Sequence, residues 1–274
     1  MASRVPMSMA RIQKENSVFF DHCFTWKQSI SIMRRRRFIT SCFATLLLLA
    51  LHINVGYAQK RVVEVQSSDS LTIYYPSFTR IDLATGTMPD KSEKNVVFCC
   101  AGSFTGEKLK EFKHSNIAGD HVSGGTFFKG YKCGPYNGVF TWSKTSGWHF
   151  YNYSYKNAVT PLQKVAKEGG MGYCQTLLLA PGQRFKGCFN PGKVNRYRAL
   201  CQIGSRLCVV DCARPLSFGH FIDGLEKLGA KYALYCDMGT GWNYSWFRKD
   251  DGTVKELFPT PGKYTTNWIT FYSD

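Results

Sequence analysis

Asp237 closes the apolar run Tyr232-Ala233-Leu234-Tyr235-Cys236, and Gly239-Thr240-Gly241 follows almost at once. An acidic side chain at the end of a buried strand is held firmly, and a flexible loop beside it lets it reach a ligand. The glycines allow backbone N–H groups to approach an anion or a sugar closely. The same pattern also describes an Asp that only caps its own turn. A second carboxylate, Asp211, ends another apolar run near Arg214. Arg196 and Arg198 flank Tyr197, so on a strand both point to one face. An exposed strand edge would use them equally well.

Other reactive residue types are less organised. His114, His121, His149 and His220 show no metal-ligand spacing and read as ordinary polar or capping residues. His220 and Asp223 stand one helical turn apart and are expected to pair. Residues 59–274 hold nine cysteines, an odd number, so at least one thiol stays unpaired within the monomer. Several lie inside apolar runs, where buried, inert thiols explain them as well as disulfides do. Cys208 and Cys212 are followed by no second pair at zinc spacing. No ligand set for a metal is visible and no cofactor is expected, although a divalent ion assisting Asp237 stays open. Asp250-Asp251-Gly252 reads as a hairpin turn and not a calcium loop.

The elements that must position these groups follow from pattern. Val62–Val65 and Leu71–Tyr75 read as strands around the turn 67–70. Val96–Ala101 is a short buried strand ending at Gly102, and Gln175–Ala180 is another closed by Pro181-Gly182. A Gly-rich aromatic stretch, 119–147, predicts short strands and tight turns. Leu162–Lys167 predicts a short helix. Ala199–Ile203 and Arg206–Val210 form a hairpin on the two-residue turn Gly204-Ser205. Ser217 then caps a helix whose Phe218, Phe221, Ile222, Leu225 and Leu228 recur at helical spacing, with Leu216 and Phe221 as a staple and Gly229 at its C-terminal end.

The first 58 residues read as a leader. Arg34–Arg37 precede the apolar run Phe43–Leu51, and Gly56-Tyr57-Ala58 offers small residues before a cut at Gln59. Positive, apolar, then small is the order of a secretory signal of bacterial type, which implies a periplasmic or secreted product. The apolar run is short for a membrane span, and an uncleaved anchor is the alternative. Translation from Met33 would give a normal-length leader, so 1–32 reads as a start-site artefact and 33–58 as the signal. The remainder, 59–274, reads as one domain, strand-rich and aromatic.

The chain carries a net +16, and residues 59–274 retain +10 of it. So basic a surface suits an anionic partner, or is simply a soluble face on which the Lys residues are scattered. No RNA-binding aromatic signature or zinc-finger spacing is present, so nucleic acid is not the expected partner. Membrane contact is expected only through an uncleaved leader.

Four stretches in order resemble the phosphodiester glycosidase family. They are Cys100-Ala101-Gly102-Ser103-Phe104, then Pro135-Tyr136-Asn137-Gly138-Val139-Phe140, then Gln175–Leu179 with Arg196–Leu200, and finally Leu225–Gly239. That family includes the enzyme that removes N-acetylglucosamine to uncover mannose 6-phosphate, and exopolysaccharide-associated bacterial proteins. The resemblance covers about residues 96–246. It implies an α+β fold of strand-rich mixed sheets with a few packed helices. It further implies hydrolysis of a sugar-1-phosphodiester in a glycan or glycoconjugate.

Under that resemblance Asp237 stabilises an oxocarbenium-like transition state or acts as nucleophile or base, with Asp211 as a second carboxylate. Arg196 and Arg198 hold the phosphate, whose oxygens a guanidinium fork matches. Ser103, Asn137, Gly239, Thr240 and Gly241 line the substrate site. Ala101 stands where the family has Asn, Met238 where it has the first Gly after Asp, and Thr240 interrupts the Gly run. The alternative is a non-catalytic glycan-binding or cell-envelope protein on the same fold. It would keep a basic groove and platforms such as Trp142, Trp148, Trp242 and Trp246, which otherwise belong to the core.

Overall fold

A computed structural model describes residues 62–132, 136–153, 157–258 and 263–274. The proposed leader lies outside the described residues. In chain order the strands begin with β1 (Val63–Ser68), β2 (Leu71–Pro76), β3 (Arg80–Thr85), β4 (Val96–Ala101), β5 (His121–Ser123) and β6 (Thr126–Phe128). Next come β7 (Gly138–Ser143), β8 (Gly147–Asn152), helix α1 (Val159–Lys167), β9 (Met171–Gln175), β10 (Leu177–Ala180), β11 (Gln183–Arg184) and β12 (Val194–Asn195). The chain continues through β13 (Arg198–Ile203), β14 (Arg206–Cys212), β15 (Leu216–Ser217) and helix α2 (Phe218–Lys227). It closes with β16 (Ala230–Cys236), β17 (Ser245–Arg248), β18 (Val254–Leu257) and β19 (Asn267–Tyr272). The fold is α+β and strand-rich. The ladders between named strands are antiparallel, and the one parallel bridge among the described residues joins Ala118 to Tyr131.

A seven-stranded sheet runs β1-β2-β14-β13-β16-β10-β11. Two five-stranded sheets run β18-β17-β4-β19-β3 and β6-β5-β9-β7-β8. Period-two alternation gives the large sheet two apolar faces. Tyr74, Leu200, Val209, Leu234 and Cys236 share one core with Phe98, Cys100, Phe247 and Phe271 of the second sheet and Phe140 and Tyr173 of the third. Ile73, Ala199, Cys201, Val210, Ala233 and Tyr235 belong to another core under α2. That helix buries Phe218, Phe221, Ile222 and Leu225 there, each contributing about 1.5–3 kcal/mol.

Several expected boundaries hold. Ser217 accepts the N–H of His220 at 3.2 Å as the cap of α2, and Gly229 takes φ +72° just past its end. Ile203 pairs with Arg206 across Gly204-Ser205. The Lys249–Thr253 turn carries Gly252 at φ +81° between β17 and β18. The stretch 175–180 is two strands instead of one. The chain leaves the third sheet at Gln175 and enters the large sheet at Leu177, and only Thr176 lies between. His220 and Asp223 are corrected: Asp223 pairs with Arg184 at 2.6 Å, a bidentate-capable partner on the neighbouring β11.

Candidate functional site

β16 lies between β13 and β10 and delivers Asp237 to a junction of sheets. The N–H of Asp237 donates to the Gly102 carbonyl at 3.1 Å, so the end of β16 is tied to the end of β4. Gly102 is needed there, because a Cβ would lie 2.9 Å from Asn267 Oδ1. Tyr235 N–H donates to Thr176 O at 2.9 Å. The Ser103 hydroxyl lies 2.6 Å from Ala118 O and 3.0 Å from Cys174 O. Leu177 N–H donates to Asn137 Oδ1 at 2.8 Å. The described parts of the four sequence stretches therefore meet, joined by direct hydrogen bonds.

Asp237 is buried, with 7% of its surface exposed. Burial raises its carboxyl pKa to about 7, against the opposing pull of the backbone N–H groups of Gly239, Thr105 and Met238. A group poised at neutrality can take or give a proton there. The loop around it is braced. Trp242 Nε1 donates to Thr105 Oγ1 at 2.9 Å, and Thr105 Oγ1 donates to Tyr264 O at 2.9 Å. Gly241 takes φ +90°, and a Cβ would stand 2.7 Å from the Tyr264 ring. Its carbonyl accepts Tyr264 N–H, and the Gly239 carbonyl accepts from Trp242 and Asn243. Thr240 is exposed between them.

Arg198 is not available to a ligand. It is fully buried, on the face of the large sheet that carries Leu200 and Val209. Its Nε and Nη2 donate to the two oxygens of Asp211 at 2.5 and 2.7 Å, and Nη2 also donates to Ser245 Oγ at 2.7 Å. Burial alone would lower the guanidinium pKa; the Asp211 carboxylate reverses this and raises it. Register explains the pairing, since β13 sets Arg198 directly opposite Asp211 on β14. Both the phosphate role of Arg198 and the second-carboxylate role of Asp211 give way to a closed internal ion pair. Arg196 is different. It is half-buried, with Nη1 donating to Ala213 O at 3.3 Å and its guanidinium 4.9 Å from the Phe258 ring.

Ser103 is also corrected. Only 1% exposed, it spends its N–H on Asn267 Oδ1 at 2.7 Å and its carbonyl on Asn267 Nδ2 at 3.0 Å, so it fastens β4 to β19. Asn137 uses its side-chain oxygen and its carbonyl on the fold. Trp246 and Trp142 are core residues, while Trp148 and Trp242 are partly exposed.

Sequence reasoning passed over Thr105, Cys188 and Lys193. Cys188 is exposed and lies within electrostatic reach of both Asp237 and Lys193, and burial of its thiol group pushes its pKa up to about 11. The Gly187-Cys188-Phe189 segment held no signal of the approach to Asp237, which the fold brings in from the far end of β16. The other seven described cysteines are free and buried. A histidine pair was also missed. His121 Nδ1 faces the Gly119 carbonyl at 3.1 Å, and an oxygen that can only accept requires the proton on that nitrogen. His121 Nε2 then accepts from His114 Nδ1 at 3.0 Å, and His114 Nε2 accepts from Thr85 Oγ1 at 3.3 Å. Burial lowers the pKa of His121 to about 4 and lowers that of His114 as well.

Among the described residues no group of three His, Cys, Asp or Glu side chains is placed to hold a metal ion, and no helix is long and apolar enough to cross a membrane. No family model matches the chain, and a search of curated proteins returns no match.

Proposed function

We propose that this protein is an exported hydrolase of the phosphodiester glycosidase type, cleaving a sugar-1-phosphodiester with Asp237 at the reacting centre. The observation that supports the reading is that the described parts of four ordered sequence stretches are hydrogen-bonded into one junction, at which a buried carboxyl group is poised near neutral pH. When the bond from the anomeric carbon to oxygen breaks, the group that leaves is a phosphomonoester, a stable anion, and water takes its place on the sugar, so protonating the leaving oxygen matters little. The demand falls on a carboxylate that steadies positive charge at the anomeric carbon and on a base that activates water. An Asp titrating near 7 is half ionised at neutrality and serves either role. Arg196 and Lys193 replace Arg198 as the cations for the phosphate; both lie on the segment entering β13.

The alternative, a glycan-binding or envelope protein on the same fold, draws support from the three backbone N–H groups that satisfy Asp237 internally. A panel of sugar-1-phosphodiesters separates the two. Turnover by the parent, abolished by Asp237→Asn with Arg198 and Asp211 intact, supports the hydrolase. Binding without turnover, indifferent to that substitution, supports the module.

A further inference from the structure

A cleft of about 250 Å³ opens between the β1–β2 turn and α2. Two cations reach it from different elements. Arg214 follows the end of β14, where Ala213 N–H donates to Ser70 O at 2.8 Å and fixes the corner. Arg214 Nη2 donates a long hydrogen bond to Ser70 Oγ at 3.5 Å. Lys227 lies in the last turn of α2 and makes no ion pair among the described residues. His220, Gly224 and Lys227 recur at helical spacing and share one face of α2. The floor is apolar and close-set, because a Cβ on Gly224 would stand 2.7 Å from Leu71 Cδ1. Of the two acidic lining residues, Asp223 is paired with Arg184 at 2.6 Å, a guanidinium it shares with Glu226 at 2.6 Å. Asp69 has no ion-pair partner among the described residues.

We propose that this cleft binds a small phosphorylated ligand the size of a sugar monophosphate, with Arg214 and Lys227 on the phosphate. A phosphate, near two negative charges, is drawn by both cations against the single opposing charge of Asp69. A guanidinium fork and an ammonium point charge are complementary ways to hold its oxygens. Ser70 adds a hydroxyl on the phosphate side, and His220 and Asp69 give the rim hydrogen-bonding groups for sugar hydroxyls. The volume lies just below the ~300 Å³ at which sites for larger ligands begin. The proposal stands apart from the reading of Asp237 and would survive its failure.

Titration of the full-length protein with glucose 1-phosphate, followed by calorimetry, tests it, with glucose as the neutral control. The expected result is binding of glucose 1-phosphate but not glucose. Arg214→Ala with Lys227→Ala should weaken it at least ~10-fold, since charge-assisted contacts dominate. Asp69→Asn should tighten it a few-fold by removing the opposing charge. The last variant gains affinity, so a folding defect cannot imitate it. The proposal is overturned if the double variant binds as the parent does. It also fails if Lys94→Ala with Lys144→Ala, exposed lysines outside the cleft, weakens binding equally, which would mark a diffuse effect of net charge. Unchanged affinity in Asp69→Asn would likewise count against it.

Discussion

Asp211 and Asp237 are both buried carboxylates on strands that flank β13, and their surroundings give them opposite characters. Asp211 faces a guanidinium that donates to both its oxygens. Among the described residues Asp237 has no cation against it, only the partial charges of three N–H groups, and burial raises its pKa to about 7. Burial is common to both and so does not explain the difference. The oxygens of Asp211 are committed to Arg198, whereas a cradle of dipoles leaves Asp237 able to exchange a proton near neutrality. The first suits architecture and the second suits chemistry.

The sharpest way to break this contrast is to remove one half of the ion pair. Arg198→Met leaves Asp211 as a buried, uncompensated charge and is expected to cost about 3–5 kcal/mol in denaturant unfolding. Adding Asp211→Leu should recover most of that loss, because an apolar pair of similar volume no longer buries a charge. A double variant as unstable as the single one would show that the pair is not what Arg198 contributes.

Asp237→Asn should leave folding intact and act on pH behaviour and activity instead. The carboxyl pKa is higher in the folded state than its ordinary 3.8, so the folded state binds more protons between those values. Stability is therefore full below pH 4 and declines as pH rises through 7, by on the order of 4 kcal/mol in total. The Asn variant should lose that slope, read from unfolding midpoints at pH 5 and 8. If Asp237 is the base of the proposed hydrolysis, turnover should fall about 10²–10⁴-fold. A slope retained in the variant would mean that another group carries it.

The histidine pair sharpens the contrast from the opposite sign. His121 is buried, and desolvation lowers its pKa from 6.5 to about 4. The unfolded chain then binds the extra proton, so stability is full above about 6.5 and is lost as pH falls toward 4, by ~3 kcal/mol. Asp120 faces His121 and opposes part of that fall, while His114 reinforces it. Proton-detected imidazole spectra should show His121 neutral at pH 5, with its proton on Nδ1. A charged ring at that pH would defeat the assignment of the hydrogen-bond chain.

The local elements were readable because their signals are local. Ser217, the 3.6-residue repeat of α2 and Gly229 all lie within a dozen residues, as do both halves of the β13–β14 hairpin. Alternation correctly put Arg196 and Arg198 on one side of Tyr197, since both stand near Phe258. It could not tell an outward face from a face between sheets, and so Arg198 was read as a phosphate ligand. The sheet that covers it comes from β4 and β17, far along the chain in both directions. The same distance concealed the bond from Ser103 to Asn267; His114 and His121 are only seven residues apart, but no regular helix or strand spacing joins them. The position of Asp237 at the end of a buried strand was legible; its lack of a cation was not, because that depends on which neighbours three sheets bring together.

The smallest expected effect tests whether the Arg198 cluster is closed on itself. Ser245 Oγ accepts from Arg198 Nη2 at 2.7 Å and lies 3.5 Å from Asn243 O. In Ser245→Ala, Nη2 keeps its bond to Asp211 Oδ2 and loses only the second acceptor. Nη1 already makes no hydrogen bond, so the guanidinium cannot compensate by rotating without breaking its two contacts to Asp211. The cost should be about 1–2 kcal/mol, that of one orphaned buried donor and well below that of breaking the pair. In the Arg198→Met, Asp211→Leu background the same substitution should cost appreciably less, since Ser245 then has no donor to receive. Equal losses in both backgrounds would assign Ser245 to local packing and detach it from the ion pair.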